Sequence, residues 1–169
     1  GKTTLKTELA QRVQLDVSAL PYNTDVLDWL RVQKQAGRRL VLATASHQVL
    51  AEQVAQHVHL FDEVLATHGD TNLKSAAKAK ALVDRFGEAG FDYVGNDWPD
   101  MPVWAQAHTA HVVDAPASLL ARAQAQGPVD QVFGRGMPAR AIAILKAMRL
   151  HQWMKNILVF VPLMAAHQY

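Results

Sequence analysis

DYVGNDWPD, residues 92–100, joins a short apolar strand to a glycine and then to polar side chains. Asn96 follows Gly95 directly, and the carboxylate of Asp100 comes four residues later. Open α/β sheets place their ligands at the carboxyl ends of strands, so we expect these oxygens at such an edge. Mg²⁺ prefers carboxylate and carbonyl oxygens. The stretch therefore predicts the magnesium corner of a phosphate-handling site, with Asn96 and Asp100 as the metal ligands.

Strands and helices alternate on both sides of this stretch. Strand-like segments are predicted at residues 39–44, 61–67, 91–94 and 111–113, and helical segments at 25–36, 48–57, 75–86, 99–107 and 117–125. Such alternation is typical of a parallel sheet with right-handed crossovers. We expect Asn23 or Thr24 to cap the first of these helices and Ser46 to cap the second. The predicted fold class is therefore α/β.

The two ends of the chain differ from this α/β region. Residues 1–13 predict an amphipathic helix, and its opening GKTT has the form of the end of a phosphate-binding loop. That loop needs a preceding strand and an earlier glycine. The sequence shows neither before GKTT, so an ordinary helix start is favoured. Residues 127–138 have the composition of a linker. Residues 139–150 predict a second amphipathic helix, and the apolar run at 157–166 follows basic residues and a tryptophan, which is typical of membrane entry. The run is about half as long as a membrane span, so a buried core helix is the alternative.

Composition narrows the class of protein. The chain has 169 residues, of which 50% are hydrophobic and 19% charged, and this suits a packed globular core. A net charge of +2 gives no reason to expect a nucleic-acid partner. There are no cysteines, which excludes disulfides and thiolate metal sites. Because the sequence opens at Gly1 rather than Met, we expect a fragment or a processed product.

Two further residues are candidates for phosphate chemistry. Thr44 ends a predicted strand, and its hydroxyl can hydrogen-bond a phosphate oxygen. Lys78 lies in the first turn of a predicted helix, where its ammonium can neutralise phosphate charge. Each residue also has a purely structural explanation, since a threonine commonly ends a strand and a lysine on a helix is usually solvated. In the same way, Asp100 after Trp-Pro can be a helix cap.

The histidines and tryptophans are predicted to be structural. The side chains of the pair at 57 and 59 point apart on a helix, which argues against a metal site there. We expect His108 and His111 to lie at the surface. Trp98 and Trp104 are expected to pack beside the site rather than to bind substrate.

Three short motifs together resemble the haloacid dehalogenase (HAD) superfamily. VLAT at 41–44, KAKAL at 78–82 and GNDWPD at 95–100 are similar to its second, third and fourth motifs. The chain as a whole resembles bacterial proteins that fuse a HAD-type domain to a UbiA-type polyprenyl transferase. The segments that carry this resemblance are residues 61–66, 90–104 and 148–163, and the last resembles the opening of the transferase's first membrane helix.

The resemblance implies a role for each candidate. Thr44 would bond the phosphoryl oxygen, and Lys78 would hold the nucleophile and the phosphate charge, with Lys74 as the substitute if the register is shifted. Asn96 and Asp100 would bind Mg²⁺. The implied chemistry is phosphoryl transfer from a phosphomonoester or diphosphate to an aspartate and then to water. The implied partners are a phosphorylated small molecule or a prenyl diphosphate, and a membrane.

The resemblance also implies a domain plan. The fold would be a three-layer, Rossmann-type parallel sheet, incomplete at its N-terminus and followed by a linker and the start of a transmembrane helix. The boundaries would be a helical insertion or cap at 1–36, the core at 37–126, the linker at 127–138 and the membrane-proximal segment at 139–169. The parent protein would reside in the bacterial inner membrane with its HAD-like domain in the cytoplasm.

Two departures from the family pattern leave alternatives open. Asn96 stands where the fourth motif normally has aspartate, which lowers the expected affinity for metal. The first motif, with the nucleophilic aspartate, is absent from the sequence, and the chain as given is expected to be inactive. A degenerate, non-catalytic regulatory or binding domain is therefore the alternative to an enzyme. A kinase fragment based on the opening GKTT is a third interpretation.

Overall fold

The computed structural model describes residues 16–69, 71–134 and 161–163. Its strands are Arg39–His47 (β1), Glu63–Thr67 (β2), Asp92–Gly95 (β3), Thr109–Val113 (β4), Val129–Phe133 (β5) and Val161–Leu163 (β6). Its helices are Thr24–Gln35 (α1), Gln48–Val58 (α2), Ala76–Phe86 (α3), Met101–Trp104 (α4) and Ala117–Gln126 (α5). Short 3₁₀ turns span Val17–Ala19 and Trp98–Asp100. The helices predicted at 1–13 and 139–150 lie outside the described residues.

The strands form two three-stranded sheets, in the orders β2-β1-β6 and β3-β4-β5. β1 pairs with β2 in parallel, and β4 pairs in parallel with both β3 and β5. Parallel neighbours need a crossover, and helices supply it between successive strands from β1 to β5. The predicted α/β class with parallel pairing is confirmed.

Helices cover both faces of these strands. Side chains alternate between the two faces of a strand, and β1 shows the result: Val41 and Ala43 belong to one apolar cluster, Leu40 and Leu42 to another. The first cluster is completed by β3, β4, α3, α4 and α5, and the second by α1, α2 and the ends of β3 and β4. Because both sheets contribute to both clusters, the arrangement is three layers, helix–sheet–helix, as predicted.

The helix starts show where local sequence signals succeed and fail. Asn23 caps α1 as predicted, with its side chain accepting a hydrogen bond from the Val26 N–H at 3.2 Å. The prediction that Ser46 caps α2 is wrong, because β1 continues through it to His47. His47 is the cap instead, and its Nδ1 accepts from the Val49 N–H at 3.3 Å.

The linker predicted at 127–138 is wrong for residues 129–133, which form β5. β5 pairs with β4, and its residues alternate between half-buried and exposed, as expected for an edge strand. The Ala110 N–H also donates to the Pro128 carbonyl at 2.9 Å. Glycine and proline content suggested a linker, but the open edge of β4 provides backbone partners that composition does not reveal. Residues 135–138 lie outside the described residues.

The membrane-proximal segment predicted at 139–169 is described only at 161–163. There β6 pairs antiparallel with the start of β1, Val161 opposite Val41 and Leu163 opposite Arg39, and it also contacts β3. These three residues are therefore a strand rather than part of the predicted helix, because the edge of β1 away from β2 can satisfy their backbone groups. No helix within the described residues is long and apolar enough to cross a membrane.

Candidate active site

The turn after β3 is built around the carboxylate of Asp100. Its Oδ2 accepts hydrogen bonds from the backbone N–H groups of Asn96, at 2.9 Å, and Asp97, at 3.1 Å. Its Oδ1 accepts from the Tyr93 hydroxyl at 2.7 Å. The Asp97 side chain in turn accepts from the Trp98 N–H at 2.8 Å, which starts the 3₁₀ turn. Asp100 is 3% exposed, so these donors compensate a buried negative charge.

Gly95 makes this geometry possible. A Cβ atom at residue 95 would lie 2.9 Å from the Cβ, Cγ and Oδ2 atoms of Asp100. Such contacts are too short for any side chain. The spacing Gly-x₄-Asp that drew attention in the sequence is therefore a packing requirement, since only glycine lets the strand end approach the carboxylate this closely.

Lys78 lies against the same carboxylate. It sits in the first turn of α3, is 5% exposed, and donates from Nζ to the Tyr93 hydroxyl at 3.1 Å. Nζ is 3.7 Å from Asp100 Oδ1. Burial lowers the pKa of Lys78, and the negative charge of Asp100 opposes that shift. Lys74, the alternative if the register were shifted, is exposed.

Tyr93 joins the two charges and was not predicted. Its side chain is fully buried, and burial, reinforced by Asp100, raises its pKa well above the ordinary value of 10.0. The phenol therefore stays protonated and can donate. The sequence carries a weak signal for this role, because a tyrosine on a fully buried strand needs a partner for its hydroxyl.

Thr44 belongs to β1, on the other three-stranded sheet. It is buried, and its Oγ1 accepts from the Ser46 N–H at 3.1 Å. Nearby Thr67, which was not predicted, ties the ends of β1 and β2 together: its hydroxyl donates to the Ala45 carbonyl and accepts from the Leu73 N–H, both at 3.0 Å. Of the predicted site residues, the contacts described above bring Lys78, Asn96 and Asp100 together.

Comparison with known proteins places the chain in a family. Residues 5–103 match the family of haloacid dehalogenase-like hydrolases. The chain belongs to this HAD family. It is also 34% identical, over 163 residues, to the uncharacterized protein y4nM of Sinorhizobium fredii. That match covers 96% of the chain but 31% of y4nM, so the chain spans about a third of this relative. No solved structure matches the chain significantly.

HAD hydrolases generally use Mg²⁺, and the described residues fit such an ion in part. Asn96 Oδ1 is buried and has no hydrogen-bond partner, which suits a carbonyl ligand to a hard cation. Both oxygens of Asp100 already accept hydrogen bonds, so direct ligation would compete with them. Among the described residues, no group of three or more His, Cys, Asp or Glu side chains is placed to hold a metal. The candidate site thus offers Asn96 Oδ1 as an unpartnered oxygen, and a complete magnesium shell needs further ligands.

The aromatic residues of this HAD domain divide between core and surface. Trp104 packs as predicted, 4% exposed, with Nε1 donating to the Tyr93 carbonyl at 3.3 Å. Trp98, in contrast, is 51% exposed, because it projects from the 3₁₀ turn that Asp100 anchors. The His57 ring stacks on Tyr22, with ring centroids 5.6 Å apart.

One histidine prediction is wrong. His108 is exposed as predicted, but His111 is 1% exposed. His111 Nδ1 accepts from the Gln131 N–H at 3.2 Å, and Nε2 faces Asp92 Oδ2 at 3.8 Å. The Trp29 ring packs against this side chain with ring centroids 4.7 Å apart, and β5, which was mistaken for a linker, supplies its hydrogen-bond donor.

Proposed function

We propose that the chain is the core of a phosphohydrolase domain within a membrane-bound UbiA-type prenyltransferase. The observation that carries the phosphohydrolase part is the buried ammonium of Lys78 beside Tyr93 and Asp100, at the carboxyl end of β3. Parallel α/β sheets bind ligands at this edge. A buried ammonium is stabilised by negative charge nearby. A bound phosphoryl group would add negative charge to that of Asp100.

The substrate class is a phosphomonoester or a diphosphate. Several residues of the chain together stabilise the negative charge of its phosphoryl group. Lys78 stabilises the oxygens of the transferring phosphoryl group, as expected for a preorganised cation in a water-poor site. Thr44 donates its hydroxyl to a phosphoryl oxygen. Asn96 Oδ1 would be one ligand to Mg²⁺, which when bound supplies further positive charge to the phosphoryl oxygens.

The nucleophile would be an aspartate on a strand that precedes Gly1 in the parent protein. β1 and β3 belong to different sheets, and the three-residue β6 stands between them. A longer parallel strand in that position would have its carboxyl end between Thr44 of β1 and Asn96, which follows β3. Its carboxylate oxygen would attack phosphorus and expel the ester oxygen, which takes up a proton. Water would then attack the phosphorus of the aspartyl phosphate, releasing inorganic phosphate and restoring the carboxylate.

The transferase part of the proposal has separate support. The sequence of residues 148–163, whose last three residues form β6 in the structure, resembles the start of the first membrane helix of UbiA-type transferases. The relative y4nM is about three times as long as the chain, which leaves room for such a domain. We propose a bacterial inner-membrane protein with the HAD domain on the cytoplasmic side. If the full-length protein stays soluble without detergent, this part fails.

The phosphohydrolase part is tested on the full-length protein with Mg²⁺ and a panel of phosphomonoesters. Lys78→Met keeps the length of the side chain but removes its charge, and kcat should fall roughly 10²–10³-fold. Lys74→Met is the matched control, because it makes the same change at an exposed position in the loop that precedes α3. Equal turnover by wild type and Lys78→Met would show that this is not the active site.

A non-catalytic HAD domain is the second candidate, and Asn96 favours it. Asparagine in place of a charged ligand weakens a metal site, as expected for a domain that has lost its chemistry. The sequence preceding Gly1 separates the two candidates. An apolar strand ending in Asp-x-Asp supports the enzyme, whereas loss of either aspartate leaves only a binding or regulatory role.

A further inference from the structure

The Tyr93 hydroxyl is a buried bridge between two opposite charges. It donates to Asp100 Oδ1 at 2.7 Å and accepts from Lys78 Nζ at 3.1 Å. The direct distance from Nζ to Asp100 Oδ1 is 3.7 Å, longer than a hydrogen bond. Nζ also lies 5.7 Å from the centre of the Tyr93 ring. Lys78 and Asp100 therefore form a direct ion pair, and the phenol supplies the hydrogen-bonded path between the two charges.

Only a side chain that both donates and accepts can make this bridge. A carboxylate accepts only and an ammonium donates only, and the neutral phenol does both. Tyr93 is fully buried on β3, with Trp104 bonded to its carbonyl, so the hydroxyl is held by a rigid part of the core. An ammonium has three N–H groups, and the bridge uses one of them. Asp100 Oδ1, 3.7 Å from Nζ, faces the same ammonium.

We propose that Tyr93 is a positioning residue that holds the Lys78 ammonium at a fixed distance from Asp100 and keeps its free N–H groups available to a phosphoryl group. The inference rests on the proposed phosphohydrolase function. In the absence of the bridge, Lys78 would close on Asp100, because opposite charges in a buried site attract strongly. The Lys78 ammonium would then bind the Asp100 carboxylate rather than the phosphoryl group of the substrate.

The test uses the full-length protein with Mg²⁺ and p-nitrophenyl phosphate, comparing wild type with Tyr93→Phe. The ring volume is kept and only the bridge is lost. The matched control is Tyr22→Phe, which removes a hydroxyl that donates to the Val17 carbonyl at 2.8 Å in another part of the chain. We expect kcat to fall roughly ten- to a hundredfold in Tyr93→Phe, with a smaller change in KM, and no change in Tyr22→Phe.

A second measurement does not depend on turnover. Calorimetric titration with inorganic phosphate should give a Kd at least about threefold higher for Tyr93→Phe than for wild type. If the Tyr93 hydroxyl has only a structural role, Tyr93→Phe should lower the melting temperature and leave kcat and this Kd unchanged, and that result overturns the inference. If Tyr93→Phe does not fold, Tyr93→His is measured instead, because the shorter imidazole cannot span both partners and should show the same losses.

The outcomes separate this inference from the proposed function. If wild type binds phosphate but hydrolyses no ester, the proposed function fails, and a weaker phosphate affinity in Tyr93→Phe still supports the positioning role. If wild type hydrolyses the ester and Tyr93→Phe matches it in kcat and Kd, only the positioning role fails. If wild type neither binds phosphate nor hydrolyses the ester, both fail.

Discussion

Gly95 and Asp100 pack closely in the candidate site, and the position of the carboxylate requires glycine at residue 95. The carboxylate replaces the side chain that residue 95 lacks, and it satisfies the backbone N–H groups of Asn96 and Asp97, which β3 leaves without ladder partners. Asp100 thus holds the turn whether or not a metal is bound. Asn96, whose Oδ1 is buried and unpartnered, is the residue that such a rigid turn presents to a ligand.

At this scale we predict that Gly95→Ala destabilises the fold. Its Cβ would meet Asp100 at 2.9 Å, and the carboxylate cannot move away without losing its three hydrogen bonds. The free energy of unfolding should fall by roughly 1–3 kcal/mol, as for other overpacked sites. Urea denaturation measures the change. Gly127→Ala is the control, because nothing lies within 4 Å of a Cβ there and the backbone is extended; equal effects at the two positions would contradict the prediction.

At the scale of elements, the amino ends of the strands are joined by a second polar cluster. Asp92, the first residue of β3, pairs with Arg38, which precedes β1, and faces His111 on β4. Asp92 is 4% exposed. Burial raises the pKa of Asp92, but its contacts with His111 and Arg38 lower it more, so the pKa lies below the ordinary 3.8. The cluster ties three elements together at the edge opposite the candidate site.

The Asp92 cluster predicts an acid-dependent loss of stability. Because the folded pKa lies below the unfolded one, Asp92 contributes its full stabilisation above pH 3.8 and loses it as the pH falls through the folded pKa. Asp92→Asn should lower the free energy of unfolding by roughly 3 kcal/mol at neutral pH, since Arg38 loses its carboxylate partner and keeps its hydrogen bond to Gln33. The difference from wild type should shrink below pH 3.8. Urea denaturation across this range measures it.

The control for this prediction is Asp28→Asn. Asp28 pairs with Arg31 on the surface of α1, where both side chains are more than half exposed, and such pairs contribute little. If the difference between wild type and Asp92→Asn stays constant as the pH is lowered, the charge of Asp92 is not what stabilises the cluster.

β5 is predicted to be part of the folding unit. A chain that ends at Gln126 loses the Gln131 N–H that His111 accepts from, and the Phe133 ring that packs at 5.6 Å from Trp29. It also exposes the edge of β4. Compared with a chain that ends at Gly134, its free energy of unfolding should be lower by on the order of 3 kcal/mol, from lost apolar burial. Equal melting temperatures for the two chains would restore the linker interpretation.

At the scale of the whole molecule, the two sheets are joined by shared helices and by β6. β1–β2 and β3–β4–β5 contribute to the same two apolar clusters, and β6 is the strand described between them. The residues proposed to act on phosphate are therefore divided, with Thr44 on one sheet and Lys78, Asn96 and Asp100 beside the other. A site that uses all four depends on what lies between β1 and β3.

For this reason we predict that residues 1–169 alone do not hydrolyse phosphomonoesters, whereas the full-length protein does. The expected cause is the absence of the nucleophilic aspartate, without which no aspartyl phosphate forms. Release of p-nitrophenol from its phosphate ester measures both proteins. Turnover by residues 1–169 that survives Asp100→Ala would place the chemistry elsewhere in the chain.

The sequence by itself determined the order of strands and helices from α1 to α5, the three-layer class and most of the candidate site. Apolar periodicity and caps such as Asn23 act within a few residues, so they can be read locally. Only the tertiary structure placed Tyr93 between Lys78 and Asp100, buried His111, and turned residues 129–133 into a strand. Each of these depends on partners that are distant in sequence. The Tyr93 hydroxyl bridges two charges only because the fold brings both to it, and residues 129–133 form a strand only because β4 offers backbone groups for them to pair with.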